Sequence, residues 1–139
     1  MSLLVLDASI VGPLVFEDER SGSTQAIEQL IASHDCLTTA HWRLEVANLI
    51  LMGVRRGRAL VTEADEAFAL LDGLGLIVDT ETGARAWSDS YQLASAHQLT
   101  IYDAGYLELA KRASAGLISL DRRLVDAARK HAIAVPVLS

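Results

Sequence analysis

Four acidic residues stand where a folded chain could bring their carboxylates together. Asp7 directly follows the apolar run Leu-Leu-Val-Leu, and Asp121 follows Leu-Ile-Ser-Leu in the same way. Asp103 lies between residues 99–102 and a stretch that is typical of a helix, and Glu45 lies inside a mostly apolar helical segment. Carboxylates that are packed together raise each other's pKa and favour a bound cation. The chemistry to expect from these four residues is therefore metal binding.

The other potential ligands point to a hard metal ion. The chain has one cysteine and no His-x-His or His-Glu-x-x-His arrangement, so zinc is disfavoured and an all-oxygen site for Mg²⁺ or Mn²⁺ is predicted. The histidines are scattered along the chain, and we expect structural or surface roles for His34, His41, His97 and His131.

Ordinary structural roles explain each acid when it is taken alone. An Asp before a helix caps it and contributes about 1 kcal/mol. Glu45 shares one stripe of the predicted helix 41–56 with Asn48, Arg55 and Arg56, and such a stripe is usually a solvated face. The remainder of that helix is apolar, which predicts that it is otherwise buried. Three acids at one predicted edge favour a shared site over three independent caps.

Short apolar runs alternate with longer helical patterns along the whole chain. We predict strands at 3–6, 36–39, 76–78, 117–120 and 133–138, and helices at 9–16, 23–33, 41–56, 62–71, 82–97, 104–115 and 122–131. Apolar strands that alternate with helices predict an α/β fold, in which helices flank a central parallel sheet of about five strands in three α/β/α layers. Ligands bind at the carboxyl ends of such strands, where Asp7 and Asp121 are placed.

Local signals predict how several helices begin and end. Gly57 is expected to end the helix 41–56, and Thr62 with Asp65 resembles a capping box. Asp103 is expected to begin the helix 104–115 as its cap, with Glu108 and Arg112 paired on the outer side of that helix.

Composition limits the kinds of protein that the chain can be. Its 139 residues, 51% of them hydrophobic, fit one domain with a sizeable core. The net charge of −6 argues against a generally basic nucleic-acid binder. A single cysteine, Cys36, excludes an internal disulfide and is typical of a reducing cytoplasm. No apolar run reaches the roughly 18 residues of a membrane span, and the first residues lack the basic segment of a signal peptide. We therefore expect a cytoplasmic protein.

The segments that carry the four acids resemble those of PIN-domain ribonucleases, above all the VapC-type toxins of toxin–antitoxin pairs. These segments are LLVLDAS, LEVANLI, LTIYDAGYLELA and LISLDRRL. They follow the family's order over essentially the whole chain, so the resemblance implies a single PIN domain at 1–139. It also implies a catalytic and metal-binding quartet of Asp7, Glu45, Asp103 and Asp121. Matches at supporting positions of the family fall on Ser9, Asn48 and Ser119.

The resemblance further implies an activity and partners. A VapC-type toxin is an endoribonuclease, in which a water activated by Mg²⁺ or Mn²⁺ attacks a phosphodiester and leaves a 5′ phosphate and a 3′ hydroxyl. We expect a homodimer, and a VapB-like antitoxin that occupies the active-site groove. Gly105 departs from the family's small, alanine-like residue and is expected to open space beside Asp103. The candidate phosphate contacts are Arg43, Arg55, Arg56, Arg85 and Arg122.

Two other functions stay open. A PIN fold could serve as an RNA- or partner-binding module with weak or no catalysis, and RNA binding without turnover would favour it. A phosphotransfer domain of the receiver or haloacid-dehalogenase kind also carries Asp after its first strand. The second dehalogenase Asp is replaced here by Ser9, and the receiver's Lys is absent from its required place. An acyl-phosphate assay would separate this function from the others.

Overall fold

A parallel sheet of four strands forms the centre of the computed structural model, which describes residues 2–138. The strand order is β3-β2-β1-β4, and every neighbouring pair is parallel. The strands are β1 (Leu3–Leu6), β2 (Asp35–Thr38), β3 (Ile77–Val78) and β4 (Gly116–Ile118). Helices flank this sheet, so the predicted α/β fold is confirmed.

The helices fall close to the predicted ranges. They are α1 (Val11–Val15), α2 (Gly22–Ser33), α3 (Trp42–Arg55), α4 (Val61–Asp72), α5 (Thr82–Arg85), α6 (Tyr91–His97), α7 (Ile101–Arg112) and α8 (Arg122–Lys130). A π-helical turn at Ala86–Ser90 joins α5 to α6, so the predicted helix 82–97 is continuous but irregular. Within residues 2–138, no helix has the length and apolar character that crossing a membrane requires.

The core is built around β1 and α7. Val5 and Leu6 of β1 are fully buried, and every residue of α7 from Ala104 to Ala110 is buried. The helix α7 contacts β1, β4 and α8. Because α7 is enclosed on several sides, its first turn, which carries Asp103, is held rigidly against the sheet.

The predicted fifth strand is wrong. Residues 133–138 form no strand, although the Leu117 N–H donates a 2.9 Å hydrogen bond to the carbonyl of Ala134. Pro136 has no N–H to donate, and a ladder that continued through it would lose a hydrogen bond. The segment therefore lies beside β4 without extending the sheet.

Two predicted helix starts need correction. The helix α7 begins at Ile101, three residues before the predicted start, and its cap is Thr100, whose hydroxyl accepts a 3.1 Å hydrogen bond from the Asp103 N–H. Asp103 is therefore the third residue of the helix and does not cap it. The helix α4 begins at Val61, and its capping contact is the Glu63 carboxylate, which accepts from the Leu60 N–H at 2.8 Å.

The predicted end of α3 holds, while the prediction for Arg112 is wrong in part. Gly57 follows α3 with a φ of 74°, as a glycine at that place allows. Arg112 pairs with Glu108 at 2.8 Å, but Glu108 is buried, and the guanidinium also reaches Asp79 at 2.7 Å, just after β3. The guanidinium holds the pKa of Asp79 below its usual value. This cluster ties α7 to the sheet and does not lie on an outer face.

Candidate active site at the carboxyl ends of the strands

Asp7 is fixed by two hydroxyl groups at the end of β1. Its Oδ1 accepts hydrogen bonds from the N–H of Ser9 at 3.1 Å and from the Ser9 hydroxyl at 2.7 Å, and its Oδ2 accepts from the Ser119 hydroxyl at 2.5 Å. The residue is 2% exposed. Burial raises the pKa of Asp7 from 3.8 to about 6, the charge of Asp103 adds to this, and the serine hydrogen bonds only partly oppose it.

The same two serines connect Asp7 with Asp121. The Ser119 hydroxyl accepts from the Asp121 N–H at 3.0 Å, and the Ser9 hydroxyl accepts from the Leu120 N–H at 2.8 Å. Because β4 is paired with β1, the residues that follow these strands meet at one edge of the sheet. The sequence placed Ser9 and Ser119 beside the acids, and the structure brings them into direct contact with Asp7.

Asp121 is also the N-cap of α8. Its Oδ1 accepts from the N–H groups of Arg123 at 2.9 Å and Leu124 at 3.2 Å. Its Oδ2 receives no hydrogen bond from any residue in the range 2–138. Capping and a place in the site are therefore compatible, because each uses a different oxygen.

Asp103 lies half-buried within reach of the charges of two other acids. Burial raises the pKa of Asp103, and the charges of Asp121 and Glu45 raise it further. The charge of Asp103 in turn acts on Asp7. The four predicted acids thus share one electrostatic environment, although they come from four separate parts of the chain.

Glu45 is held by a tyrosine that the sequence reasoning missed. The Tyr106 hydroxyl donates a 2.6 Å hydrogen bond to Oε1 of Glu45, and the same oxygen lies 3.5 Å from Nε2 of His41. The Tyr106 side chain is fully buried, and burial together with the adjacent carboxylate raises the pKa of Tyr106. The available signal was spacing, since Tyr106 follows Asp103 by three positions and therefore lies on the same side of α7.

His41 occupies the space that Gly105 leaves. Its Nε2 lies 3.0 Å from the carbonyl oxygen of Tyr102, and its ring packs edge-on against Tyr106 with centroids 4.9 Å apart. A Cβ at position 105 would stand 2.8 Å from Cε1 of His41. The expected open space beside Asp103 is therefore filled by an imidazole.

The prediction that α3 is buried apart from its polar stripe is wrong. Leu44 on that helix is 76% exposed, Leu51 is also exposed, and Asn48 is exposed without a side-chain hydrogen bond to any described residue. Leu44 and Leu51 thus leave exposed apolar side chains on α3, and Leu44 directly precedes Glu45.

The chain matches a known family over most of its length. The profile of the PIN domain matches residues 4–130, a range that contains all four acids. The chain belongs to the PIN-domain family. This PIN-domain chain is 32% identical over 124 residues to Ribonuclease VapC3 of Pyrobaculum aerophilum, and the match covers 88% of the chain and 92% of that protein. The predicted resemblance is confirmed, and the match lends no support to the phosphotransfer alternative.

Solved structures show the same fold at lower identity. FitAcB of Neisseria gonorrhoeae has a TM-score of 0.63 at 16% identity, with 97% of each chain covered. VapC20 of Mycobacterium tuberculosis, described as a sarcin-ricin loop cleaving toxin, has a TM-score of 0.62 at 20% identity, with 89% of this chain and 94% of that chain covered. At these identities the neighbours support the PIN fold alone.

The oxygen atoms of this PIN-domain site fit a hard divalent cation by their chemistry. Within residues 2–138, no three His, Cys, Asp or Glu side chains are grouped closely enough to hold a metal ion as they stand. Oε2 of Glu45 and Oδ2 of Asp121 nevertheless lack hydrogen-bond donors from that part of the chain. A cation would offset the repulsion that raises the pKa of Asp103.

Two of the predicted phosphate contacts form surface ion pairs with carboxylates of the chain. Arg43 is paired with Asp72 at 2.9 Å, and Arg85 is paired with Glu81 at 3.1 Å. The remaining candidates are exposed and pair with no carboxylate of the described residues: Arg55, Arg56 and Arg122.

Proposed function

We propose that this PIN-domain protein is a metal-dependent endoribonuclease toxin of a VapBC-type toxin–antitoxin pair. The observation that carries the proposal is the linkage of the four acids: the Ser119 hydroxyl joins Asp7 to Asp121, and the charges of Asp121 and Glu45 raise the pKa of Asp103. A bound cation would offset this repulsion between carboxylates, so the arrangement favours cation binding. The 32% identity to a VapC ribonuclease supports RNA as the substrate.

In this proposal, Asp7, Glu45, Asp103 and Asp121 would hold Mg²⁺ or Mn²⁺, which when bound would lower the pKa of a water and offset charge on the phosphoryl oxygens. Hydrolysis would form a bond from the water oxygen to phosphorus and break the bond from phosphorus to the 3′ oxygen. The 3′ oxygen would take up a proton released by the water, so the products would carry a 5′ phosphate and a 3′ hydroxyl. The protein contributes orientation: Ser9 and Ser119 hold the Asp7 carboxylate.

The activity test compares RNA cleavage with Mg²⁺ or Mn²⁺, with EDTA, and in an Asp103→Asn variant. We expect cleavage only with the metal ion and the intact acid. Asp65→Asn is a matched control, because Asp65 is exposed on α4 and makes no side-chain hydrogen bond or ion pair within residues 2–138. Cleavage that survives EDTA, or that survives in folded Asp103→Asn protein, would refute the mechanism.

The alternative, a binding module without catalysis, predicts a different result in the same assay. It predicts that the wild-type protein retains RNA without turnover under every divalent ion. No contact at the site favours this alternative over catalysis.

Exposed apolar side chains support the proposed protein partners. Trp87 is 97% exposed, and Tyr91, Tyr102 and Leu44 are also exposed. Leu44 and Tyr102 line one groove of about 310 Å³, and exposed apolar surface of this kind on a small domain is typical of an interface. We infer a homodimer and a VapB-like antitoxin whose tail places a basic side chain among the four acids.

Sedimentation of wild-type protein and of a Trp87→Ser variant tests the dimer. We expect the wild type to sediment as a dimer and the variant to dissociate, and a monomeric wild type across the accessible concentrations would contradict the homodimer. Reversing the charge of the antitoxin's basic tail residue should weaken inhibition, and unchanged inhibition would contradict the role of the acids.

A further inference from the structure

Some basic residues of the chain are paired with carboxylates, and others have no such partner within residues 2–138. Ion pairs within residues 2–138 engage Arg20, Arg43, Arg58, Arg85 and Arg112. The basic residues of α8 are all exposed, and none has a carboxylate partner in that part of the chain: Arg122, Arg123, Arg129 and Lys130. We call these four residues the α8 basic face.

The α8 basic face differs in charge from the rest of the protein. Residues 122–130 carry four basic side chains and one acid, which gives +3, whereas the whole chain carries −6 and the remainder therefore carries −9. The face begins directly after Asp121, which caps the helix. A positively charged surface thus lies next to the acidic site. This arrangement suits a polyanionic substrate, because the basic face attracts its phosphates while the acids hold a cation.

Helix stability does not explain the two arginines nearest the site. Arg122 and Arg123 occupy the first turn of α8, where the helix dipole disfavours cations by about 0.3–1 kcal/mol. Arg129 and Lys130 stand in the last turn, where the dipole favours them. The position of Arg122 and Arg123 at the positive end of the helix dipole is therefore not explained by helix stability. A bound anion would explain it.

The geometry of α8 places the free cations along one side. At about 100° per residue, the four side chains fall within an arc of roughly 120° on a helix about 14 Å long. A groove of about 370 Å³ runs beside this face, between α8 and the end of α6, and is lined by Ala96, His97, Gln98, Arg123, Asp126, Ala127 and Lys130. The surface is long enough to contact more than one nucleotide.

We propose that the α8 basic face binds backbone phosphates of the RNA strand next to the cleaved bond, with Arg122 and Arg123 nearest that bond. This inference rests on the proposed ribonuclease function. Guanidinium groups suit phosphate because they donate two parallel hydrogen bonds. Phosphate contacts set the position of the strand and carry no base information, so α8 determines where the strand lies and not which sequence is cut.

The test measures the salt dependence of RNA binding in the full chain. The background is Asp103→Asn, so that a fluorescein-labelled single-stranded RNA oligonucleotide is bound without being cut. Each phosphate contact on a single strand contributes about 0.7 to the slope of log Kobs against log salt. We expect the Arg122→Gln/Arg123→Gln variant to lower the slope by about 1.4 and to weaken binding roughly ten-fold near physiological salt.

The matched control is Arg20→Gln/Arg43→Gln, which removes the same charge from two arginines that are already paired with Glu28 and Asp72. We expect its slope to equal that of the background. The variant Arg122→Lys/Arg123→Lys keeps both charges and should retain the slope. The variant Arg129→Gln/Lys130→Gln should lower the slope, and it leaves the start of α8 unchanged. Circular dichroism checks folding throughout.

Three results would overturn the inference. The first is an unchanged slope in both glutamine variants of α8, and the second is an equal fall of the slope in the Arg20/Arg43 control. The third is that the α8 variants lose affinity for an acidic peptide but keep the slope measured with RNA. Cleavage by otherwise wild-type protein is measured in parallel with Mg²⁺. Continued cleavage with an unchanged slope refutes only the α8 contact. Absence of both cleavage and RNA binding refutes the proposed function together with it.

Discussion

Replacing Asp7 by Asn is expected to make the metal-free protein more stable while abolishing cleavage. Asp7 is 2% exposed, and its pKa is raised from 3.8 to about 6, chiefly by burial. The native state therefore binds more protons than the unfolded state between these two pH values. Native stability falls as the pH rises through this window, and above it the penalty for the buried charge stays constant.

The size of the effect follows from that pKa difference. A shift of about two pH units corresponds to roughly 3 kcal/mol of unfolding free energy above pH 6. Asn removes the charge but accepts hydrogen bonds at only one of the two oxygen positions that Ser9 and Ser119 now occupy. We therefore expect Asp7→Asn to gain about 1–3 kcal/mol, or up to roughly 10 °C in Tm for a domain of this size.

Thermal unfolding in EDTA at pH 7.5 and at pH 4.5 measures the gain. It should shrink to about 1 kcal/mol or less at the lower pH, because native Asp7 is then mostly protonated. Asp126→Asn is the control, and we expect no gain at either pH because Asp126 is exposed. A metal-free Asp7→Asn protein that is less stable than the wild type at pH 7.5, or equally stabilised at both values, would refute the argument.

The same melts test metal binding without any RNA. Saturating Mg²⁺ or Mn²⁺ should raise the Tm of the wild type, since a ligand that binds only the native state stabilises it. The Tm of Asp7→Asn should rise much less with the metal ion, so the difference in Tm between this variant and the wild type should become smaller. An equal metal response in both proteins would remove Asp7 from the proposed ligand set.

Three further substitutions test the supports of the site. Tyr106→Phe removes the hydrogen bond to Glu45; single-turnover kinetics should show a cleavage rate about ten-fold lower with KM unchanged, and an unaltered rate would speak against positioning. Gly105→Ala crowds His41 and should cost about 1–3 kcal/mol in urea unfolding, most of it recovered in a double variant with His41→Ala; failure to recover would place the strain elsewhere. Thr100→Ala should lower stability by about 1 kcal/mol through loss of the α7 cap, and a neutral result would deny that cap.

The sequence predicted the parts of the fold that depend on local patterns. Apolar runs located β1 to β4, and the position of Asp7 and Asp121 directly after two of them placed both acids at one edge of the sheet. Parallel strands and their carboxyl ends follow from the alternation of strands and helices. These features need no knowledge of distant contacts, which is why a single sequence reveals them.

Features that depend on distant contacts or on competing caps were missed. Asp103 and Thr100 both cap helices well, and only the structure shows that Thr100 does so here. Asp79, which pairs with Arg112, lies 33 positions away in the chain, and helix or strand spacing does not predict a pair at that distance. Pro136 is a local signal against the fifth strand, because a proline has no N–H to donate to a neighbouring strand.

The hydrogen bond from Ser119 to Asp7 joins residues that are 112 positions apart. A chain growing on the ribosome exposes β1 long before β4, so the edge that carries Asp7 and Asp121 stays incomplete until β4 has emerged. Under the proposed function, a nascent chain that lacks β4 also lacks the complete set of acids. A fragment that ends before β4 is therefore expected to be inactive, because the order of the strands makes the site depend on synthesis through β4 and Asp121.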